Sequence, residues 1–218
     1  MGLRRSNAGL ESFIFFNADG VLARTERLML RRPIDEDVMG YIDAFGGPCP
    51  LLAHEYRRNE ELRTDYWKGV KGEDSLYCSI CAKENGEFMG YCAVERLKRL
   101  DSEIAINLLE RFQARGFGPE AVLAFMETFR KVTGPVPFVA KIDPQNFGSQ
   151  KMFRRLGFEP WGVDTLFIKD PDLLARLEEE RIEELGGIPE NLCSLAKEFD
   201  VEPRRLLSHV LVFRGPAI

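Results

Sequence analysis

Residues 113 to 118 read Gln-Ala-Arg-Gly-Phe-Gly, followed by Pro119 and Glu120. Glycines at 116 and 118 let a backbone approach a ligand closely. The first N–H groups of a helix have no partner inside it. Together these features make a turn suited to an anion such as a pyrophosphate, with the charge of Arg115 beside it. The earlier glycine of a dinucleotide fingerprint is missing, and so is the Lys-Ser/Thr of a P-loop, which disfavours both readings. A glycine-rich turn without a ligand is the competing reading. Cys78 and Cys81 have C-x-x-C spacing, but on a strand their side chains point to opposite faces and cannot meet at one metal. There is no second such pair, and His54 and His209 are the only histidines, so no metal is expected.

Such a turn needs a strand to enter it and a helix to leave it. Residues 103–109 read as the strand, and Gly118-Pro119-Glu120 opens the helix, with Pro in the first turn and an acid near the positive end of the dipole. Ala121, Val122, Phe125, Met126 and Phe129 form the apolar stripe of that helix. Residues 76–84 and 87–97 are rich in Ile, Val, Tyr, Phe and Cys, and Asn85-Gly86 joins them as a hairpin. Other strands are expected at 28–31 (closed by Pro33), 137–142, 158–168 and 210–213. Helices are expected at 35–45, 54–70, 146–156, 170–184 and 191–199. Gly46-Gly47-Pro48 ends the first of these, and Gly157 is placed to end the third. Residues 13–16 and 21–22 flank Asn17-Ala18-Asp19-Gly20 and read as a short hairpin. This order predicts a mixed α/β fold around a sheet.

Gln113-x-x-Gly116-x-Gly118 resembles the Gln/Arg-x-x-Gly-x-Gly/Ala signature of the GNAT acetyltransferase superfamily. Glu103-Ile104-Ala105-Ile106, leading through the loop to Glu120-Ala121, looks like that family's fourth strand, pyrophosphate loop and third helix. Residues 25–31, Thr-Glu-Arg-Leu-Met-Leu-Arg, resemble the first strand of its ribosomal-protein N-terminal acetyltransferase branch. Asn146-x-x-Ser149, followed by Phe153-Arg154-Arg155-Leu156-Gly157-Phe158, resembles that branch's next helix and its ending. The resemblance covers residues 25–168. It implies a mostly antiparallel twisted sheet, splayed between the family's fourth and fifth strands and flanked by helices.

The resemblance also implies chemistry. Acetyl-CoA would be the cosubstrate, its pyrophosphate cradled by N–H groups of Arg115, Gly116, Phe117, Gly118 and Glu120, behind Gln113. The pantetheine arm would pair with the strand end at Asn107, Leu108 and Leu109, where a backbone N–H, with Leu108 the candidate, polarises the thioester carbonyl. Asn146 would bond the pantetheine. Attack by an amine needs a base, and Glu103 stands where histone-type members keep a glutamate. Many relatives use a Tyr to protonate the leaving thiolate; this chain has Phe153 there, which leaves Ser149 as a substitute donor. The implied function is acetyl transfer to a small-molecule or peptide amine by direct attack. A catalytically silent acyl-CoA-binding module is the alternative.

The resemblance further implies a last strand near 208–213, preceded by an acidic helical insertion over 170–207. A sheet ending at Ile168 with an independent appendage is the other arrangement. In domain terms this gives an extension at 1–24, an acetyltransferase core at 25–168 and an acidic segment at 169–218.

Three further motifs compete. Residues 15–22, Phe-Phe-Asn-Ala-Asp-Gly-Val-Leu, resemble the first motif of haloacid-dehalogenase-like phosphatases, but Asn17 stands where their nucleophilic Asp belongs. Met1-Gly2-Leu3-Arg4-Arg5-Ser6 matches a myristoylation pattern. Residues 194–209 look like two short helices with a turn, yet their acidic surroundings oppose phosphate binding, so no nucleic-acid partner is expected.

The chain has 218 residues and a formal net charge of −5, with 44% hydrophobic and 30% charged residues. Residues 1–169 carry 24 basic and 24 acidic side chains, so the whole net charge lies in the last 49 residues. No apolar run approaches the ~18 residues of a membrane span, and the start lacks the apolar stretch of a signal peptide. Five cysteines, an odd number, fit reduced thiols. A cytoplasmic protein without a membrane partner, monomeric or homodimeric, is the expectation.

Overall fold

Period-two alternation organises the first part of the chain. Strands β1 (Val21–Arg24), β2 (Leu28–Arg31), β3 (Leu76–Ala82), β4 (Phe88–Glu95) and β5 (Ser102–Leu108) pair antiparallel in that order. On one face, Leu28, Leu30, Leu76, Cys78, Ile80, Cys92, Val94 and Ile104 are buried. Helix α4 (Phe117–Thr133) supplies the matching stripe of Ala121, Val122, Phe125, Met126 and Phe129, the stripe expected from the sequence. The other face packs Tyr91 and Ala93 against Tyr41, Ala44, Trp67 and Val70. These four come from α1 (Val38–Gly46) and α3 (Glu60–Val70), with α2 (Pro50–Arg58) between them.

The computed structural model describes residues 12–216 apart from 48, 96, 98–101 and 166–167. The Met1-Gly2-Leu3-Arg4-Arg5-Ser6 pattern and Pro48 lie outside the described residues. Two compact units are present: one reaches to Val136, and the other is Pro137–Pro216. The mixed α/β organisation with mostly antiparallel strands agrees with the sequence reading. Among the described residues no helix is long and apolar enough to cross a membrane.

Two local expectations are corrected. Residues 13–16 do not form a hairpin arm: Ser12–Phe15 is a 3-10 turn, and Phe15 stacks on Phe129 at 5.1 Å. The Asn17 amide oxygen accepts from the N–H groups of Asp19 and Val21 at 3.0 and 2.9 Å, so it is spent on a turn. The hairpin forms one step later, between β1 and β2. Residues 54–70 are not one helix. At Asn59 the backbone is extended (φ −107°, ψ 110°), and its side chain accepts from Leu62 N–H at 3.2 Å to start α3.

The second unit orders its strands β6 (Phe138–Ile142), β8 (Val210–Arg214), β7 (Glu159–Asp164), all antiparallel. Helices α5 (Phe147–Arg155), α6 (Pro171–Leu185) and α7 (Glu190–Glu198) complete it. Within the acidic segment, Leu192, Ala196 and Phe199 are buried, and Phe199 meets Phe213 of β8 edge-on at 5.2 Å. Arg154 grips Glu198 with both guanidinium nitrogens at 2.5 and 2.8 Å. One acid of this segment lies inside: Glu178 accepts from Arg204 Nε at 2.8 Å and Ser208 Oγ at 2.6 Å.

Candidate functional site: the loop opening α4 and the tyrosine-lined face of β4 and β5

Residues 113–116 are exposed, and Gly116 is the residue before α4, with φ +81°. That left-handed conformation suits glycine. Ala114 has φ +55°, so the loop is tightly wound on both sides of Arg115. In the first turn the N–H groups of Gly116, Phe117 and Gly118 precede the first intrahelical hydrogen bond, and Pro119 has none. By helix geometry the N–H of Glu120 is the first aligned to bond back along the helix. Its carboxylate turns the other way, onto the β1–β2 turn. There Oε1 accepts from Thr25 Oγ1 at 2.5 Å and Arg27 N at 3.1 Å, and Oε2 accepts from Arg27 Nε at 2.7 Å. Burial raises the Glu120 pKa, but the bonds from Thr25 and Arg27 outweigh it and hold the group below its ordinary value. Gln113 Nε2 donates to Leu108 O at 2.8 Å, closing the loop onto the strand that feeds it. Arg27 and Arg115 lie over the Phe117 ring at 4.5 and 5.4 Å.

The end of β5 has its own geometry. Leu109 N–H donates to Met89 O at 2.9 Å, while Gly90 faces Leu108 in the register. By antiparallel alternation the Leu108 N–H therefore points away from β4. Asn107 Nδ2 donates to Tyr91 Oη at 2.7 Å, which places this predicted residue on the tyrosine face.

Glu103 shares that face. Its Cα partner across the ladder is Glu95, a residue that no motif singled out; a reading of cross-strand register could have found it. Tyr77 Oη donates to Glu95 Oε1 at 3.1 Å, and Tyr56 and Tyr66 stack nearby in the same unit with centroids 4.8 Å apart. Burial drives Tyr66, Tyr77 and Tyr91 well above the ordinary phenol value. They keep their protons through the neutral range, and Tyr77 donates its own to Glu95.

In the second unit, Asn146 precedes α5, and its Oδ1 accepts from Ser149 N–H at 3.0 Å. Asn146 thus caps a helix through its oxygen, while the rest of this exposed side chain faces out. Ser149 is half-buried. Phe153, expected to contact the cofactor, is only 3% exposed and packs edge-on against Phe158 at 4.9 Å. Its ring belongs to the apolar interior of the second unit, because an apolar side chain on the inner face of α5 is buried wherever a partner ring is available.

The acetyltransferase (GNAT) domain family model matches residues 27–159. No curated protein matches the chain. Among solved structures, RimL, a ribosomal L7/L12 alpha-N-protein acetyltransferase, is similar with a TM-score of 0.57 at 15% identity, over 91% of this chain and 94% of that one. An acetyltransferase (GNAT family) from Bacillus anthracis gives 0.57 at 13%, covering 88% and 96%. The acetyltransferase from Agrobacterium tumefaciens gives 0.53 at 20%, covering 88% and 92%. At these identities the likeness is one of fold.

Proposed function

The chain belongs to the GNAT acetyltransferase family, an acyltransferase family acting on amines, and on that premise we propose that it moves the acetyl group of acetyl-CoA to an amine by direct attack. The observation that carries this reading is the exposed left-handed turn at Gly116, between β5 and the start of α4. The outward N–H groups of Gly116, Phe117 and Gly118 fit a pyrophosphate, and Arg115 adds charge beside them. Asn107, Leu108 and Leu109 carry the backbone for the pantetheine arm. The thioester, when bound, supplies an activated acetyl carbon and a thiolate leaving group.

The protein's own part is proton handling and charge stabilisation. Glu103 takes a proton from the incoming ammonium, freeing the lone pair that forms the new C–N bond. The Leu108 N–H stabilises the oxyanion as the C–S bond breaks. The departing thiolate takes up a proton from solvent. A protein N-terminus and a small amine are the two acceptor classes consistent with this chemistry. The acidic helices at 170–207 are read as an insertion ahead of the last strand.

Two measurements test the reading. Glu103→Gln should lower kcat about 100-fold near neutrality, the low end of what a positioned base contributes. An unchanged rate excludes Glu103 as the base. Gly116→Val places a β-branched residue at φ +81° and should weaken CoA binding at least about tenfold, measured by calorimetry. Tight CoA binding without turnover on any amine of a panel of peptides, polyamines and aminoglycosides would overturn the enzyme reading.

A further inference from the structure

The loop does not hold its own shape. Arg27 is gripped by Glu120 along one edge of its guanidinium, with Nε and Nη2 at 2.7 and 2.6 Å from Oε2. Thr25 Oγ1 and the Arg27 backbone N–H hold the other oxygen, so the carboxylate is fixed by three groups of the β1–β2 turn. With one edge committed, the remaining nitrogen, Nη1, donates to the carbonyl of Arg115 at 3.2 Å. In a trans peptide the C=O and the following N–H point in opposite directions. A carbonyl drawn toward Arg27 therefore turns the Gly116 N–H away from it, to the exposed side of the loop. The guanidinium also closes the inner side, since a Cβ on Gly116 would lie 3.4 Å from Arg27 Nη2.

We propose that Thr25, Arg27 and Glu120 form a positioning brace that aims the Gly116 N–H at the cofactor's pyrophosphate and so sets affinity for acyl-CoA. Arg27 acts through the Arg115–Gly116 peptide. Its charge is already matched by Glu120, so its contribution is orientation rather than attraction. This inference rests on the assignment of the loop to CoA.

Orientation and attraction make opposite predictions for Glu120→Gln. Removing a negative charge beside an anion site strengthens binding if charge decides. If the brace decides, the freed guanidinium no longer holds the Arg115 carbonyl, and affinity falls. The experiment is calorimetric titration of the full-length protein with CoA, for wild type, Glu120→Gln, Arg27→Gln and Arg27→Lys, with melting curves confirming that each is folded.

The brace predicts that Glu120→Gln and Arg27→Gln each weaken CoA about tenfold, the scale of one hydrogen bond to a charged group. Arg27→Lys keeps the charge but lacks the fork, and should not restore binding. In steady-state assays the KM for acetyl-CoA should rise while kcat changes less than twofold. Equal or tighter binding by Glu120→Gln, or full rescue by Arg27→Lys, overturns the brace. Failure of the wild-type protein to bind CoA overturns instead the assignment of the loop. Should Glu120→Gln fail to fold, Arg27→Lys still decides, and the reverse, because the charge and brace readings differ at both.

Discussion

Gly90→Ala should destabilise the protein by about 4 kcal/mol, as backbone strain and overpacking add at one position. Gly90 lies in β4 at φ +153°, where the register slips between Ile80 opposite Gly90 and Cys81 opposite Phe88. A Cβ there would sit 2.1 Å from the carbonyl oxygen of Asn107, 2.8 Å from Leu108 Cα and 3.0 Å from Asn107 C. All three are backbone atoms, so no side-chain rotation relieves the clash. The strand end has to move, and with it the Leu109 N–H bond to Met89 and the Asn107 bond to Tyr91. Those are the residues assigned to the pantetheine arm, so CoA binding should fall with stability. Gly134→Ala is the control. Gly134 also has positive φ, at +82°, but has nothing within 4 Å, and it should cost only about 1 kcal/mol of strain. Urea unfolding of both variants gives the comparison. A Gly90→Ala loss no greater than that of Gly134→Ala would show that β5 does not press on this point.

Asp37→Asn should cost about 4 kcal/mol, within the range for breaking a buried ion pair by removing one partner. Asp37 is 5% exposed. Its oxygens accept from Arg31 Nη1 and Nη2 at 2.6 and 2.8 Å, from Ser79 Oγ at 2.6 Å and from Ile34 N–H at 3.1 Å. Because the carboxylate can only accept, Ser79 spends its proton there, and Tyr41 Oη must be the donor to Ser79 at 3.3 Å. The Asn substitution turns an amide NH2 toward a guanidinium or a hydroxyl proton and leaves a donor facing a donor.

Burial raises the Asp37 pKa, and the bonds from Arg31, Ser79 and Ile34 outweigh it, so the group titrates below its ordinary value. A carboxylate depressed in the folded state contributes stability above its unfolded pKa of ~3.9 and loses it as pH falls through the folded value. The gap between wild type and Asp37→Asn should therefore be full at pH 6 and close as the pH drops below about 4. A gap that stays constant down to pH 2.5 would show that ionisation of Asp37 plays no part.

Much of the site's chemistry could be read locally. Gly116 and Gly118 after a strand and before Pro119 mark a glycine turn that opens a helix from residue types alone, and the Asn85-Gly86 hairpin follows from its dipeptide, with Gly86 at φ +75°. The C-x-x-C pair stands on one strand as expected. Cys78 is on the α4 face, and Cys81 on the other, where burial pushes its thiol up to about 11. Each of these depends on a handful of consecutive residues.

The misread parts differ in reach: one is a competition within three residues, the other depends on a residue far along the chain. Asn59 breaks 54–70 because its side chain caps the next helix better than it continues the last. Residues 13–16 follow Phe129, more than 100 positions away, instead of pairing with 21–22.

The net charge of −5 is a sequence fact, but the tertiary structure turns part of it inward, through Glu178 with Arg204 and Ser208. By itself, then, the sequence determined the family, most of the order of strands and helices, and the glycine turn that opens α4, because propensity, period and turn chemistry act over a few residues. Tertiary structure decided that Glu120 reaches back 93 to 95 residues to Arg27 and Thr25, and that Glu95 faces Glu103. Chain closure alone creates such pairs. No local window contains both partners, and their energies exist only once the sheet and α4 have packed.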